Sequence, residues 1–150
     1  MHNQVIMIRP MEEADIEQVC EIKKICLKET ESPAQLKKSA SYDYNCYYVA
    51  VKEEKVVGFV AYSYVLDEGD IQDIAVLPEY QSQKLGTKML CKVIKLCKKQ
   101  GVTKLTLEVR SRNQKAISLY QQFDFKEIAL RKNYYKNPTE DAIIMQKSQN

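Results

Sequence analysis

The stretch Ile71–Cys97 constrains the fold of this chain more than any other, because it combines a strand, a polar loop and a helix. Its first part, Ile71–Val76, has no helical period and ends just before Pro78, which predicts a strand. The polar segment Gln81–Gly86 follows. Apolar residues then recur at helical intervals, which predicts an amphipathic helix with one buried side formed by Met89, Leu90, Val93, Ile94 and Cys97.

A helix that begins after a strand and a short loop presents backbone N–H groups that have no partner within the helix. The positive end of the helix dipole lies at the same place. The segment Gln81–Thr87 therefore predicts an anion site that suits a pyrophosphate. The two familiar glycine-rich phosphate loops are excluded by the positions of the only glycines, which are Gly58, Gly69, Gly86 and Gly101.

Length and composition indicate one globular domain over residues 1–150, with a net charge of +3 and 29% charged residues. No apolar run reaches about 18 residues, so we expect no membrane contact. The five cysteines form no Cys-x-x-Cys pair and the N-terminus has no signal-peptide pattern, which favours a cytoplasmic protein with free thiols. The single histidine, His2, makes a His-containing metal site improbable, and we expect no metal.

Local patterns predict seven strands: Val5–Arg9, Cys46–Val51, Val56–Val65, Ile71–Val76, Lys104–Arg110, Phe125–Arg131 and Ala142–Gln146. Two helices precede the second strand. Asp15 and Gln18 have capping-box spacing for the first, and Ser32 with Pro33 begins the second. Gly101 should end the central helix, and Asn113 should cap the last one. The order β-α-α-β-β-β-α-β-α-β-β predicts an α+β fold with three layers, a mixed central sheet with helices on both faces.

Glu108 lies in the middle of a predicted strand, on the face opposite its leucines. If that face is covered, burial would raise the pKa of Glu108 and make it a usable base near neutrality. The alternative, which the periodicity favours, is a carboxylate paired with Arg110 or Lys104 at a solvated edge. Tyr120 lies on the apolar side of the next helix, where a tyrosine is usually a core residue. Its functional alternative is general acid to a departing thiolate.

Several motifs taken together resemble the GNAT superfamily of acetyl-CoA-dependent N-acetyltransferases, and within it the RimI-type ribosomal-protein alanine N-acetyltransferases. The pyrophosphate loop of that superfamily reads Gln/Arg-x-x-Gly-x-Gly/Ala, and here it reads Gln81-x-x-Lys84-x-Gly86. The resemblance extends over Ile71–Met145 in unbroken order. Its other motifs are Leu107–Arg110, Ser111–Asn113, Ala116–Tyr120, Arg131–Tyr135 and Glu140–Met145.

The resemblance implies direct acetyl transfer, with Glu108 accepting the proton of the substrate amine and Tyr120 protonating the CoA thiolate. It also implies the residues that hold acetyl-CoA, which are Ile74, Ala75, Val76, Gln81, Ser82, Gln83, Lys84, Leu85, Gly86, Thr87 and Asn113. The implied acceptor is a protein N-terminus, in this family that of a ribosomal protein.

The chain departs from the family pattern at three places. Lys84 replaces a loop glycine, and we expect it to keep an ordinary helical backbone with its side chain in solvent. Asp124 replaces a glycine after the last helix, where a positive φ is often needed and Asp tolerates it better than most residues. The first half of the chain lacks the family's Trp-Ser and has Glu31–Gln35 instead, which leaves the acceptor uncertain.

Two other functions stay open. One is acetylation of a small amine such as a polyamine or an aminoglycoside, and the other is a catalytically silent CoA-binding or RNA-binding module. Five lysines follow the polar side of the central helix and could attract RNA, a ribosomal surface or the 3′-phosphate of CoA: Lys84, Lys88, Lys92, Lys95 and Lys99. We expect a merely solvated surface there and no direct nucleic-acid binding. The oligomeric state is open.

Overall fold

The computed structural model describes residues 5–149, apart from the side chain of Ser82. Its strands are β1 Ile6–Pro10, β2 Asn45–Lys52, β3 Lys55–Val65, β4 Glu68–Val76, β5 Lys104–Arg110, β6 Lys126–Tyr135 and β7 Glu140–Ser148. Its α-helices are α1 Ile16–Ile22, α2 Pro33–Ala40, α3 Leu85–Lys99 and α4 Gln114–Gln122. His2, on which the expectation against a His-containing site depended, lies outside the described residues.

Within residues 5–149 the seven strands form one sheet in the order β1-β2-β3-β4-β5-β7-β6. Strands β4 and β5 pair in parallel, whereas β1 with β2, β2 with β3, β5 with β7 and β6 with β7 pair antiparallel. The predicted element order and the mixed sheet are therefore confirmed. Strand β6 is longer than predicted. Residues 132–135, which follow the predicted end of the strand at Arg131 and were expected to belong to a loop, continue the strand to Tyr135.

The chain divides into two compact units. The first comprises the described part of Met1–Ser63 together with Asp73–Lys95, and the second comprises Tyr64–Gln72 and the described part of Leu96–Asn150. Each unit buries apolar side chains of its own. The single domain over residues 1–150 stays a prediction.

In the first unit, helices α1 and α2 and strands β2 and β3 contribute to one apolar cluster that includes Val19, Leu36 and Phe59. Met89, Leu90 and Val93 of α3 are fully buried, as the helical spacing predicted. Gly58 allows β3 to approach β4 closely, since a Cβ at this position would lie 2.9 Å from the carbonyl oxygen of Ala75.

The start of α1 differs from the prediction. Asp15 is the N-cap residue of α1, but its side chain forms no capping hydrogen bond and no capping box with Gln18, because its carboxylate binds residues that precede the helix. Arg9 Nη1 lies 2.7 Å from Asp15 Oδ2, and the backbone N–H of Glu12 donates to the same oxygen at 2.8 Å. The hydrogen bond from Arg9 holds the pKa of Asp15 below its usual value. Gln18 instead accepts a hydrogen bond from the backbone N–H of Val56 at 3.0 Å.

The other predicted helix ends are confirmed. Ser32 Oγ accepts from the N–H of Gln35 at 3.1 Å, and Pro33 is the first residue of α2. At the end of α3, Gly101 has φ of +81°, and the N–H of Val102 donates to Cys97 O at 2.9 Å. This is the geometry of a Schellman cap, which requires a left-handed residue. No helix among the described residues combines the length and apolar character needed to cross a bilayer.

Candidate active site

The loop predicted to bind pyrophosphate lies in the first unit. A 3-10 turn over Pro78–Gln83 ends at Lys84, and α3 begins at Leu85. Lys84 has φ of +58°, so the expected ordinary helical backbone is wrong, although the side chain is exposed as expected. The left-handed residue joins a 3-10 turn to an α-helix, and glycine in the family pattern adopts this conformation without a steric cost.

Most of the loop's described side chains already have structural partners. Gln81 Nε2 donates to Val76 O at 3.1 Å, and Gln83 Oε1 accepts from Lys52 Nζ at 3.0 Å. Leu85 is fully buried. The groups that fit a bound anion are therefore the backbone N–H groups in the first turn of α3 and the exposed Lys84 ammonium. The side chain of Ser82 lies outside the described residues.

Two lysines of the β2–β3 hairpin add positive charge beside this loop. Lys52 Nζ lies 5.4 Å from the ring centre of Tyr80, and Lys55 Nζ lies 5.8 Å from it. Together with Lys84 and the positive end of the α3 dipole, they fit the charge of a pyrophosphate. Sequence reasoning missed Lys52 and Lys55, because nothing in their local pattern relates them to a loop that follows much later in the chain.

The end of β4, predicted to hold the acetyl and pantetheine arm, is apolar and largely enclosed. Ala75 is buried, and Ile74 and Val76 are half-buried. Val76 O accepts from Gln81 Nε2 and lies 3.4 Å from Cys26 Sγ. The structure thus brings Ile74–Val76 and the start of the loop together in one unit. Their contact with acetyl-CoA stays a prediction.

A buried ion-pair cluster lies where β4 meets the segment between α1 and α2. Lys23, in the π-helical turn Lys23–Leu27 that continues α1, has a side chain only 7% exposed. Its Nζ lies 2.6 Å from Glu31 Oε1 and 3.8 Å from Asp73 Oδ2. Burial, together with the charge of Glu29, raises the pKa of Asp73 to about 6. Sequence reasoning missed this cluster because its members are far apart in the chain.

The cluster lies beside an open cleft of about 440 Å³. The cleft is lined by Lys23, Glu29, Thr30, Glu31, Gln35, Lys38 and Ser39. It includes Glu31 and Gln35, the two ends of the segment at which the chain departs from the family pattern.

Glu108 lies on β5 in the second unit, and its partners differ from those expected. The residue is exposed, so its face of the sheet is not covered among the described residues. Arg131 Nη1 lies 3.7 Å from Glu108 Oε1, and the hydroxyl of Tyr134 donates to the carboxylate. The expected pairing with Arg110 or Lys104 is wrong, because β6 brings Arg131 to Glu108, while Arg110 contacts Glu140 at 3.3 Å.

Aromatic groups and charged groups of both signs surround Glu108. The Arg110 guanidinium lies 4.3 Å from the ring centre of Tyr135. Burial, with the charge of Glu108 second, raises the pKa of Tyr135 to about 12. The same two causes raise the pKa of Asp70 on β4. The carboxylates of Glu108 and Asp70 attract a cationic amine, whereas the guanidinium groups of Arg110 and Arg131 oppose it.

Tyr120 lies on α4 in the second unit, and Asn113 immediately precedes that helix. Tyr120 is buried with 6% exposure, and its ring packs edge-on against Phe125 at 5.9 Å. Asp124, with φ of +68°, ends the helix, and the N–H of Phe125 donates to Tyr120 O at 3.1 Å. The expectation that Asp124 takes a positive φ is confirmed.

Asn113 Oδ1 accepts from the N–H of Ala116 at 3.1 Å, which confirms the helix cap. Its contact with CoA stays a prediction.

The chain matches the acetyltransferase (GNAT) family over residues 16–125. The ribosomal protein bS18-alanine N-acetyltransferase of Escherichia coli (strain K12) is 45% identical over 93 residues, which cover 61% of this chain and 63% of that protein. A Bacillus subtilis (strain 168) protein, to which the same activity is provisionally ascribed, is 38% identical over 102 residues, covering 68% of each chain. The crystal structure of the Escherichia coli ribosomal-protein-S18-alanine N-acetyltransferase superposes with a TM-score of 0.87 and 32% identity, over 96% of this chain and 94% of that one.

Proposed function

The chain belongs to the acetyltransferase (GNAT) family as an acetyl-CoA-dependent N-acetyltransferase, and on that premise we propose that it acetylates the N-terminal α-amine of a protein. The acceptor is an N-terminal alanine, and ribosomal protein bS18 is the substrate proposed. The observation that carries this choice is the 45% identity to an enzyme named for that reaction. The alignment spans 63% of that enzyme.

We assign the binding of acetyl-CoA to the groups described in the first unit. Acetyl-CoA supplies the activated acetyl thioester. The first turn of α3, with Lys84 and Lys52, would hold the pyrophosphate, and Ile74–Val76 would hold the arm. Gln81 and Gln83 would act indirectly, because their side chains fix the loop to Val76 and Lys52.

Glu108 is proposed as the proton acceptor. An α-amine has an ordinary pKa of about 7.7–8.0 and therefore arrives largely as an ammonium ion, which must lose a proton before it can attack. The carboxylate of Glu108 is exposed and is oriented by Arg131 and Tyr134. A well-placed base typically contributes about 10²–10⁴ in rate.

Tyr120 is proposed as the proton donor to the CoA thiolate. Its position depends on the cap that ends α4, since the backbone of Asp124 turns Phe125 back against the Tyr120 ring. Burial of the ring gives the hydroxyl a fixed position, which a proton donor requires.

The proposal is tested by measuring release of the CoA thiol with a panel of acceptors. We expect turnover with a peptide that begins with alanine and none with the same peptide blocked by N-terminal acetylation. A second matched peptide, with proline in place of the first alanine, controls for charge and length. Efficient turnover with spermidine or an aminoglycoside and none with either free peptide would assign the enzyme to small amines instead.

A further inference from the structure

Positive charge is concentrated on one part of this chain. Between Gln81 and Leu107 the sequence has seven lysines and no Asp or Glu. The whole chain has a net charge of +3, so the remaining residues carry a net charge of −4, which is +3 less +7. Such a strong charge asymmetry indicates a surface that meets an anionic partner.

Helix α3 carries the centre of this segment. We call Lys88, Lys92 and Lys95 the lysine row. All three are exposed, whereas Met89, Leu90 and Val93 of the same helix are fully buried. At about 1.5 Å per residue, successive members of the row stand about 4.5–6 Å apart along the helix. The row is therefore a line of regularly spaced charges on the solvent side of the helix.

This arrangement does not serve the helix itself. Like charges three and four residues apart are destabilising. Lys88, which lies in the first turn and a half, also opposes the positive end of the helix dipole, whereas Lys98 and Lys99 in the last turn complement the negative end. The ion pairs found among residues 5–149 include no member of the row. A partner outside the chain would account for these uncompensated charges.

The chemistry of the row distinguishes between anionic partners. A helix that binds a membrane surface inserts its apolar side into the lipid. The apolar side of α3 is already buried in the protein, so the row offers charge alone. Lysines are point charges suited to phosphate oxygens, and a regular line of them matches the repeating phosphates of a nucleic-acid strand.

We infer that the lysine row is a docking surface for the phosphate backbone of duplex RNA. This reverses the expectation of a merely solvated surface, and the choice of RNA rests on the proposed ribosomal-protein acceptor. Contacts to phosphates alone position a protein without reading sequence. The surface would hold the enzyme near RNA-associated acceptors.

The test uses the full chain and a fluorescent RNA duplex of about 20 base pairs, with binding measured by anisotropy between roughly 50 and 200 mM salt. The row variant carries Lys88→Gln, Lys92→Gln and Lys95→Gln. We expect its affinity at the lower salt to fall at least about tenfold. Because each lost phosphate contact removes roughly 0.7–0.9 from the slope of log K against log salt, the slope should become shallower by about 2–3.

A matched control variant carries Lys24→Gln, Lys115→Gln and Lys126→Gln, which removes the same charge from exposed positions elsewhere. We expect the control to bind RNA within about threefold of the original chain and to acetylate a short peptide at the original rate. Equal loss of RNA binding in the two variants would overturn the inference, because only net charge would then matter. Binding to phosphatidylserine vesicles that depends on the row, without RNA binding, would overturn it as well. Failure of the proposed acetyl transfer would show separately, as no peptide turnover in the original chain.

Discussion

Lys84 joins the 3-10 turn to α3 in a left-handed conformation, with φ of +58°. This conformation costs a non-glycine residue about 1–2 kcal/mol, whereas glycine adopts it freely. Glycine also lowers the free energy of the unfolded state by about 0.4–1 kcal/mol, because its unfolded chain has more conformational entropy. We predict that Lys84→Gly leaves the free energy of unfolding equal or raises it by about 1 kcal/mol. Thermal unfolding measures this, and Lys84→Ala, which removes the charge but keeps a Cβ, should show no gain.

The same variant measures how much the Lys84 charge contributes to binding. Because backbone N–H groups provide most of the proposed anion site, the affinity for acetyl-CoA should fall less than about tenfold in Lys84→Gly, equivalent to about 1.4 kcal/mol. Titration calorimetry at two salt concentrations is suitable. A larger loss that persists at high salt would contradict this expectation and make Lys84 a direct phosphate ligand.

Glu108 and Tyr120 are the residues on which the proposed chemistry depends. We predict that Glu108→Gln and Tyr120→Phe each lower kcat with an alanine-initiated peptide by about 10²-fold or more, with little change in acetyl-CoA affinity. Thiol release and calorimetry measure the two quantities. Glu127→Gln, on β6, is a matched control that should keep full turnover. Near-original turnover in both active-site variants would make Glu108 and Tyr120 structural residues.

Asp73 makes stability depend on pH. Its pKa of about 6 in the folded chain lies above the ordinary value of 3.8, so its contribution to stability is complete below pH 4 and is lost as the pH rises through 6. We predict that Asp73→Asn raises the free energy of unfolding at pH 7.5 by at most about 3 kcal/mol, and that the gain disappears near pH 4. Urea unfolding at both pH values measures this.

The variant keeps the 2.6 Å contact between Lys23 and Glu31, so Lys23 is not left without a partner. Asp43→Asn, at an exposed position, is the control and should show no such pH-dependent gain. A loss of stability in Asp73→Asn at pH 7.5 would mean that the attraction between Lys23 and Asp73 exceeds the cost of burying the Asp73 carboxylate.

At the scale of elements, the approach of β3 to β4 depends on Gly58. A Cβ there would lie 2.9 Å from Ala75 O and 3.3 Å from Met89 Cε. We predict that Gly58→Ala lowers the free energy of unfolding by about 1–3 kcal/mol, because a backbone oxygen must move. Since Ala75 belongs to the strand end proposed to hold the acetyl-CoA arm, KM for acetyl-CoA should rise as well.

Gly101→Ala is the comparison for this prediction. It should also lose stability, because φ at this position is +81°, but a Cβ there meets nothing within 4 Å. Its KM for acetyl-CoA should therefore stay unchanged. An unchanged KM for acetyl-CoA in Gly58→Ala would mean that Ala75 does not take part in binding acetyl-CoA.

Elements whose signals are local could be predicted from the sequence. The apolar period of α3, the Ser32 and Asn113 caps and the left-handed Gly101 and Asp124 each depend on residues within one or two turns. The length of β6 was not predicted, because its polar residues have no alternation that distinguishes an exposed edge strand from a loop.

Side-chain pairings between elements could not be predicted, because they depend on strand register and helix placement. Arg131 reaches Glu108 only because β6 and β5 both pair with β7. Arg9 binds the Asp15 carboxylate that was expected to cap α1. Asp73 contacts Lys23, which lies far from it in the sequence. At position 84 the sequence has lysine where the family pattern has glycine. The sequence alone did not predict that this lysine keeps a left-handed backbone.

At the scale of the whole molecule, the two units carry different parts of the proposed reaction. The first contains the groups assigned to acetyl-CoA, and the second contains Glu108 and Tyr120. An enzyme built for an α-amine must also reject the more basic ε-amine of lysine, whose ordinary pKa of about 10.4 leaves it almost fully protonated at neutral pH. The proposed function therefore depends most on the choice between these two amines.

The most direct test is tandem mass spectrometry of a peptide that begins with alanine and contains one internal lysine, after reaction with acetyl-CoA and the full chain. We predict a single added acetyl group, located on the α-amine of the first residue, and no product with the Glu108→Gln variant on the same time scale. Acetylation of the lysine with the α-amine left free, or no acetylation of the peptide at all, would contradict this prediction.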